Sequence, residues 1–177
     1  MISDRLELRA LRIEDEKSFR AAVDEFKKDT SSFGFAFAFD ESAEFSDYVR
    51  RREDWSHGVD VPNGIVPNTF LVGVVDRVVV GRVTIRHYLD HKIERVGGHI
   101  GYGVIPSRRR RGYAAKMLRL ALPICRSLGM ERALITCDDS NVASQKVIEA
   151  CGGIFEETIP CPESGVQSRR YWIGMPG

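Results

Sequence analysis

The sequence predicts an α/β fold of the α+β class, built on a mixed, mostly antiparallel sheet. Apolar runs with strand or helix spacing follow one another in the order strand, two helices, three strands, helix, strand, helix, two strands. The strand–helix–strand unit over residues 98–137 favours one central pair of parallel strands, because such units normally cross over right-handed within one sheet. The length of 177 residues favours a single domain over residues 1–177.

The N-terminal part is predicted to hold one strand, two helices and a loop. Residues 5–9 alternate as a half-buried strand does, and residues 13–29 carry the apolar stripe of an amphipathic helix. A second helix is predicted over residues 41–56 and a loop over residues 57–68, which contain two prolines and two glycines. The segment between the helices has a phenylalanine at every second position, which we interpret as core or as a lid over a cleft: Phe33, Phe35, Phe37 and Phe39.

The central part is predicted to hold three strands. Residues 69–75 and 78–88 form a hairpin that turns at Asp76-Arg77. A polar connection over residues 89–97 leads to the third strand, residues 98–104. This strand is unusual in containing glycines, which often mark a close approach by another backbone or by a ligand.

The C-terminal part begins with the clearest helix of the chain, residues 112–128, whose apolar side chains lie on one stripe. Asn141 is a suitable N-cap residue for a second, shorter helix. The remaining elements are a buried strand, this short helix and a final strand pair, predicted over residues 132–137, 142–151, 154–159 and 168–174.

Composition excludes several classes of protein. The chain has 26 Lys and Arg against 25 Asp and Glu, a net charge of only +1, whereas a general nucleic-acid binder usually carries a basic excess. The four cysteines form no CxxC pair and no histidine lies at metal-ligand spacing beside them, so no metal site is predicted. Three of the cysteines fall inside apolar runs as core thiols do, which predicts a reducing, cytoplasmic compartment. A charged N-terminus and the lack of a long apolar run predict no signal peptide and no membrane partner.

Four consecutive arginines, Arg108–Arg111, precede the helix that starts at Gly112. By themselves they are most typical of a solvated basic turn or an adventitious localisation-like run, with a nucleic-acid patch as an alternative. The first N–H groups of a helix have no intrahelical acceptor, however, and the positive end of the helix dipole points the same way. Because Gly112 and Ala114 are small, the backbone donors can close on a phosphate group, so we predict an anion site there.

The chain resembles the GNAT family of acyl-CoA-dependent N-acyltransferases. Arg109-x-x-Gly112-x-Ala114 is similar to the [Q/R]xxGx[G/A] motif of that family, and it follows a strand that ends in Tyr102-Gly103-Val104. The later stretch from Asp138 to Gly153 resembles the family's motif in which an Asn opens a helix and a Gly pair ends it. The order of elements is similar across nearly the whole chain. The resemblance is greatest to bacterial predicted acetyltransferases whose acceptors are unassigned.

The resemblance implies helices on both faces of the sheet and a parallel strand pair that splays at the site of acetyl-CoA, the co-substrate. The acyl group would move to an amine acceptor that the sequence does not identify, and a homodimer is left open. The amide of Val104 or a neighbour would polarise the thioester carbonyl. The remaining residues implied to bind acetyl-CoA are Tyr102, Gly103, Arg109, Arg110, Arg111, Gly112, Tyr113, Ala114, Asn141, Ser144 and Lys146.

The chain departs from the family at one catalytic position. Many members carry a Tyr seven residues after the helix-opening Asn, where it protonates the leaving thiolate, and here that position is Ile148. No motif identifies a general base. His99 and Tyr102 are the candidates for catalysis, with His87 as a further candidate base, because a histidine titrates near neutral pH. Each histidine fits a structural hydrogen bond as well.

Two other functions stay open at this point. The absence of a Tyr at position 148 is also compatible with a module that binds acyl-CoA without chemistry, as a sensor or partner domain. A nucleic-acid binder that uses the arginine run is disfavoured by the net charge. Cys137 is interpreted as a packed thiol and not as a nucleophile, since no motif places a His or Asp beside it.

Overall fold

The fold is described from a computed structural model for residues 5–29, 34–161 and 165–175. The strands in these ranges are β1 Glu7–Ala10, β2 Asn68–Val75, β3 Val78–Arg86, β4 Ile100–Val104, β5 Arg132–Asp138, β6 Ile154–Pro160 and β7 Gln167–Gly174. The α-helices are α1 Glu16–Lys27, α2 Phe45–Ser56, α3 His91–Val96, α4 Tyr113–Ser127 and α5 Val142–Ala150. Short 3-10 helices occupy Ile13–Asp15 and Pro106–Arg108.

The strands form two antiparallel sheets, with the orders β1-β2-β3-β4 and β5-β7-β6. The predicted hairpin between β2 and β3 is confirmed. Asp76 and Arg77 have φ values of 48° and 64°, the left-handed pair of a type I′ turn, whose twist matches that of the flanking strands. The predicted C-terminal pair is confirmed too, since β6 pairs with β7.

Helices cover both faces of the first sheet, as expected. Helix α4 packs on one face, where Met117 is fully buried between two strands. The space for Met117 comes from Gly73 and Gly81, because an added Cβ at these positions would lie 2.4 and 2.7 Å from its side chain. The glycines of β2 and β3 therefore set how closely α4 approaches the sheet.

Helices α1 and α2 cover the opposite face with aromatic side chains. The ring of Phe19 in α1 lies 5.4 to 6.2 Å from the rings of Phe35, Phe39, Phe45, Tyr48 and Phe70. The expectation of a core role is confirmed for Phe35, while Phe37 is 59% exposed. Phe33 lies outside the described residues.

Two predicted element boundaries were wrong for local reasons. Helix α2 begins at Phe45 instead of residue 41, because the Asp40 carboxylate accepts hydrogen bonds from the Ser42 amide and hydroxyl (2.9 and 2.6 Å) and holds a turn there. The supposed polar connection contains helix α3, whose first turn is held by Asp90 Oδ1 accepting from Ile93 N at 2.8 Å. Among the helices of the described ranges, none combines the length and apolar character needed to cross a bilayer.

Candidate active site

The two sheets meet along β4 and β5 without a shared ladder of hydrogen bonds. Every strand pair of the described residues is antiparallel, so the parallel pairing of β4 with β5 stays a prediction. On the β3 side, Arg86 N donates to His99 O at 2.7 Å and Ile105 N donates to Val80 O at 3.0 Å. Because antiparallel ladders alternate, the amides of Tyr102 and Val104 point away from β3, toward the unpaired edge.

His99 joins the two sheets at the narrow end of this edge. Its amide donates to Leu134 O at 2.7 Å, and its ring Nδ1 accepts from Leu134 N at 2.9 Å. Gly98, directly before it, lies so close to β5 that an added Cβ would be 2.6 Å from Leu134 O. These contacts hold β4 and β5 together at one end while the strands stay separate toward Val104.

Tyr102 bridges β4 to helix α5 across the same edge. Its hydroxyl lies 2.7 Å from Ser144 Oγ and 3.4 Å from Ser144 O. Burial raises the pKa of the Tyr102 phenol well above its usual value, although the hydrogen bond to Ser144 opposes that shift. The phenol is therefore protonated at neutral pH, and it can donate a proton more readily than it can accept one.

The turn between β4 and α4 is tied to the end of helix α1. Glu25 carboxylate oxygens accept from Ser107 N and Oγ at 2.5 and 3.0 Å. Arg109 Nε donates to Val104 O at 3.1 Å, and its Nη2 donates to Asp29 Oδ2. Arg109, the arginine of the motif, thus holds the turn against α1, although it is exposed like Arg110 and Arg111.

Gly112 forms the N-cap of helix α4 in a left-handed conformation, with φ of 77° and ψ of 2°. The first intrahelical bond that reaches this residue is Lys116 N to Gly112 O at 3.0 Å. The amides of the first turn, from Tyr113 to Ala115, point out of the helix end because no earlier helical carbonyl exists. Space around the Gly112 Cα is open, and Ala114 adds only a methyl group. This geometry fits a phosphate group.

Asn141 caps helix α5 as predicted, because its Oδ1 accepts from Ser144 N at 3.0 Å. Asn141 and Lys146 are exposed, whereas Ser144 is half-buried beside Tyr102. Ile148 is fully buried in the core, one turn after Ser144. Ile148 gives helix α5 no hydroxyl at the family's Tyr position. The Tyr102 hydroxyl of β4 instead reaches α5 at Ser144, one turn earlier.

The two faces of β4 differ in character. Ile100, Tyr102 and Val104 pack toward α4, so Gly101 and Gly103 lie on the opposite face, since side chains alternate along a strand. The buried Arg82 of β3 lies on that face, where its guanidinium donates to Gly34 O (2.6 Å) and Thr84 Oγ1 (3.1 Å). Desolvation lowers the pKa of Arg82 to about 9, so the group is still charged at pH 7.

Of two further side chains singled out in the sequence, His87 contacts Thr69, whereas Cys137 interacts with Ser144 and Tyr102. His87 Nε2 is 2.9 Å from Thr69 Oγ1, and burial lowers the pKa of its imidazole. Cys137 is a buried thiol whose pKa is raised to about 11 by burial, so it is protonated at neutral pH. This protonation supports its interpretation as a packed thiol.

Sequence reasoning missed the residues that support the site from a distance. Glu25 and Asp29 lie about 80 positions before the turn that they hold, and no local pattern links them to it. Arg82 stands in an apolar strand, and a charged residue at a central strand position was the available clue.

We expect His99 to make stability depend on pH. Burial lowers the pKa of His99, with a smaller effect of the charge on Arg86 and an opposing effect of Glu94. The unfolded chain therefore takes up the proton first, so stability is present above about pH 6.5 and is lost as pH falls through the folded-state pKa. Protonation also removes the acceptor that Leu134 N uses.

Urea denaturation at about pH 5, 6 and 7 would measure this dependence. The free energy of unfolding of His99→Asn should change less with pH than that of the wild type, because Asn supplies an acceptor that does not titrate. A residual slope is expected from His87, whose pKa is lowered as well. Equal slopes in the two proteins would contradict the assignment.

The two sheets, the edge between them and the helix that begins after Gly112 agree with the arrangement that the resemblance implied. A family model described as an acetyltransferase (GNAT) domain matches residues 5–154. The chain therefore belongs to the GNAT acetyltransferase family. No curated protein matches the chain at a significant level.

Solved structures of low sequence identity share the fold. Mycobacterium smegmatis RimJ, in complex with CoA-disulfide, is 19% identical with a TM-score of 0.71, over 96% of this chain and 81% of that one. The microcin self-immunity acetyltransferase MccE, in complex with acetyl-CoA and AMP, is 17% identical with a TM-score of 0.68, over 98% and 94%. An N-acetyltransferase from Staphylococcus aureus Mu50 is 16% identical with a TM-score of 0.64, over 97% and 99%.

Proposed function

We propose that the protein transfers an acetyl group from acetyl-CoA to a primary amine, with both substrates bound together. The unpaired edge of β4, which leads directly to the glycine turn before α4, carries this proposal. An extended pantetheine arm can pair with such an edge almost as an added strand, and its pyrophosphate end then reaches the helix N-terminus. The acetyl-CoA and CoA-disulfide complexes of the two similar structures support the choice of ligand.

The residues that would hold acetyl-CoA fall into three groups. Main-chain groups of Tyr102 and Val104 would pair with the pantetheine arm along the edge of β4, and Gly103 between them would let the arm approach because it has no side chain. Asn141, Ser144 and Lys146 would approach the arm from helix α5. The pyrophosphate would be held by backbone amides of the turn and first helical turn, which comprise Arg109, Arg110, Arg111, Gly112, Tyr113 and Ala114.

In this function the amine nitrogen forms a bond to the acetyl carbon while the carbon–sulfur bond breaks. The amide of Val104 would stabilise the negative charge that develops on the carbonyl oxygen. The leaving thiolate takes up a proton, for which we assign Tyr102. The observation behind this assignment is its protonated hydroxyl, held by Ser144 on the same helix as Ile148.

We infer that His99 positions the two strands and does not act as the general base. A neutral imidazole has one lone pair available, and the Nδ1 lone pair of His99 already accepts from Leu134 N. Its Nε2 therefore carries the proton and offers no acceptor for an ammonium proton. The amine would then lose its proton to water in the cleft, on the face of β4 that bears Gly101 and Gly103.

Acetyl-CoA is expected to raise the melting temperature, because a ligand that binds only the folded state stabilises it. At 100 times its Kd the expected rise is roughly 5–10 °C for a chain of this size. Gly112→Trp should abolish the rise, since an indole would fill the space in front of the first-turn amides. Differential scanning fluorimetry measures both results.

The matched control is Gly129→Trp, at the other end of the same helix. Gly129 also has a positive φ (85°) and open space around its Cα, so the two variants carry similar backbone strain. Gly129→Trp should keep the cofactor-induced rise. The proposal fails if acetyl-CoA at millimolar concentration shifts neither the wild type nor this control.

A non-catalytic acyl-CoA sensor is the second candidate, favoured by the buried Ile148. A panel of primary amines with acetyl-CoA separates the two functions through the release of free CoA thiol. Amine-dependent release by the wild type supports the enzyme. Cofactor binding without release by any amine supports the sensor.

A further inference from the structure

Arg52 of helix α2 is a buried cation with an incomplete set of partners. It is 5% exposed, and its Nη2 donates to Asn68 Oδ1 at 2.5 Å. Its Nε and Nη1 are buried without a hydrogen-bond partner. The charges that act on it come from Tyr48 and Arg51, and no ion pair joins it to an acidic side chain of the described residues.

Aromatic packing does not replace the missing partners. The guanidinium carbon of Arg52 lies 4.8 Å from the ring centres of both Trp55 and Phe70. Rings in such contacts attract the charge through their faces, whereas the N–H donors of a guanidinium lie in its plane. An uncompensated buried charge with unused donors is costly, and such groups concentrate at sites that receive a partner.

Arg52 shares this region with the charged Arg82 of β3. Both side chains are buried, and the charge of Arg52 contributes to lowering the pKa of Arg82, as does that of Arg86. Tyr48 interacts electrostatically with both guanidinium groups and acts to raise the pKa of each. Two buried guanidinium groups therefore lie within electrostatic reach of each other, one on α2 and one on β3 opposite Gly103.

Backbone carbonyls of one loop, residues 34–39, accept hydrogen bonds from the polar neighbours of Arg52. Gly34 O accepts from Arg82 at 2.6 Å, Phe37 O from the Tyr48 hydroxyl at 3.3 Å, and Ala38 O from Arg51 at 3.0 Å. Ala38 has a φ of 58°, a strained value for a residue with a side chain. Neutral carbonyl oxygens are weaker acceptors than an oxyanion, so an anion can compete for the same donors.

We propose that the acceptor carries a carboxylate or phosphate besides its amine, and that Arg52 binds this oxyanion in a subsite covered by residues 34–39. Arginine presents paired donors that match the geometry of either anion. Arg52 contacts Phe70 of β2, which lies on the same face of the first sheet as Arg82 and Gly103, so an acceptor held there would reach the thioester from that face. This inference rests on the proposed function for its role in catalysis, but binding of the anion can be measured alone.

The test uses Trp55 as a reporter, since its ring contacts Arg52 and lies 6.2 Å from the ring of Phe37. The chain has two tryptophans, so Trp172→Phe leaves Trp55 as the single source of indole fluorescence. In this background, inorganic phosphate and acetate are titrated separately, with sodium chloride holding the ionic strength constant. We expect a saturable change in Trp55 fluorescence with at least one of them. The anion that binds more tightly shows whether the acceptor carries a phosphate or a carboxylate.

Arg52→Met in the same background should abolish the change, because Met fills similar space without donors. The matched control is Arg50→Gln, which removes one charge from an exposed position of the same helix and should leave the titration unchanged. Circular dichroism checks folding. Should Arg52→Met not fold, Arg52→Lys keeps the charge without the planar pair of donors and should weaken binding about tenfold.

No saturable change with either anion up to about 50 mM would overturn the proposal, and so would equal changes in the Arg50 and Arg52 variants. The acetyl-CoA thermal shift is recorded for the same proteins and should be retained by Arg52→Met. If the protein with Arg52 intact binds an anion but shows no thermal shift with acetyl-CoA, the proposed function alone is refuted. If it shows the acetyl-CoA shift but binds neither anion, the subsite alone is refuted.

Discussion

Tyr102→Phe is expected to lower kcat about 100-fold, the lower range for the loss of a positioned proton donor. The phenyl ring keeps the packing of Tyr102 toward α4, and the main chain that would hold the cofactor is unchanged. The acetyl-CoA thermal shift should therefore stay near that of the wild type. Steady-state kinetics with the best amine of the panel, together with the shift, separate a chemical effect from a binding effect.

Ser144→Ala is the matched control for Tyr102→Phe. It removes the hydroxyl that contacts Tyr102 at 2.7 Å but leaves the phenol in place, so a smaller loss of kcat is expected. Because burial raises the pKa of Tyr102, the protonated form persists throughout the neutral and mildly alkaline range. A wild-type kcat that falls with an apparent pKa near 8 or 9 would not come from Tyr102. Full activity of Tyr102→Phe would remove it from the mechanism.

Gly98→Ala is expected to lower the free energy of unfolding by about 2–3 kcal/mol, in the range of overpacked interior sites. The new Cβ would meet the backbone of β5, at 2.6 Å from Leu134 O, 3.1 Å from Leu134 C and 3.2 Å from Ile135 Cα. Backbone cannot rotate away as a side chain can, so β4 and β5 must separate at the end where His99 joins them. Thermal melts should show a fall of roughly 5–10 °C.

Gly174→Ala, at the end of β7, is the control for this substitution. No atom lies within 4 Å of an added Cβ there, and Gly174 has no positive φ. The melting temperature of Gly174→Ala should stay within about 1 °C of that of the wild type. If Gly98→Ala melts like the control, the approach of β4 to β5 is looser than described.

The sequence predicted most of the elements because their patterns are local. The apolar stripe of residues 112–128 corresponds to α4, and the Asp76-Arg77 turn needed only its two flanking apolar runs. Helix α3 was not predicted because it has only six residues, most of them polar, and so shows no apolar periodicity. Its start also depends on the Asp90 carboxylate, which accepts a hydrogen bond from Ile93 N.

The candidate site was predictable where a motif spans consecutive residues. The left-handed Gly112 and the Asn141 cap follow from residue type at a helix start. The contact of Tyr102 with Ser144 could not be predicted, because it depends on the distance between a strand and a helix 42 positions apart. The same holds for Arg52, whose neighbours in sequence indicated only a solvated helix face.

Helix α1 supports both halves of the site at once. Its C-terminal end holds the turn before α4 through Glu25. The ring of Phe26 on the same helix lies 5.3 Å from the ring of Phe35, in the loop of residues 34–39. A displacement of α1 by one ligand would therefore change the free energy of binding the other. Thermodynamic linkage makes such a coupling reciprocal, so an acceptor that tightens acetyl-CoA must itself be bound more tightly in its presence. The measurable form of this coupling would be a lower Kd for each substrate in the presence of the other.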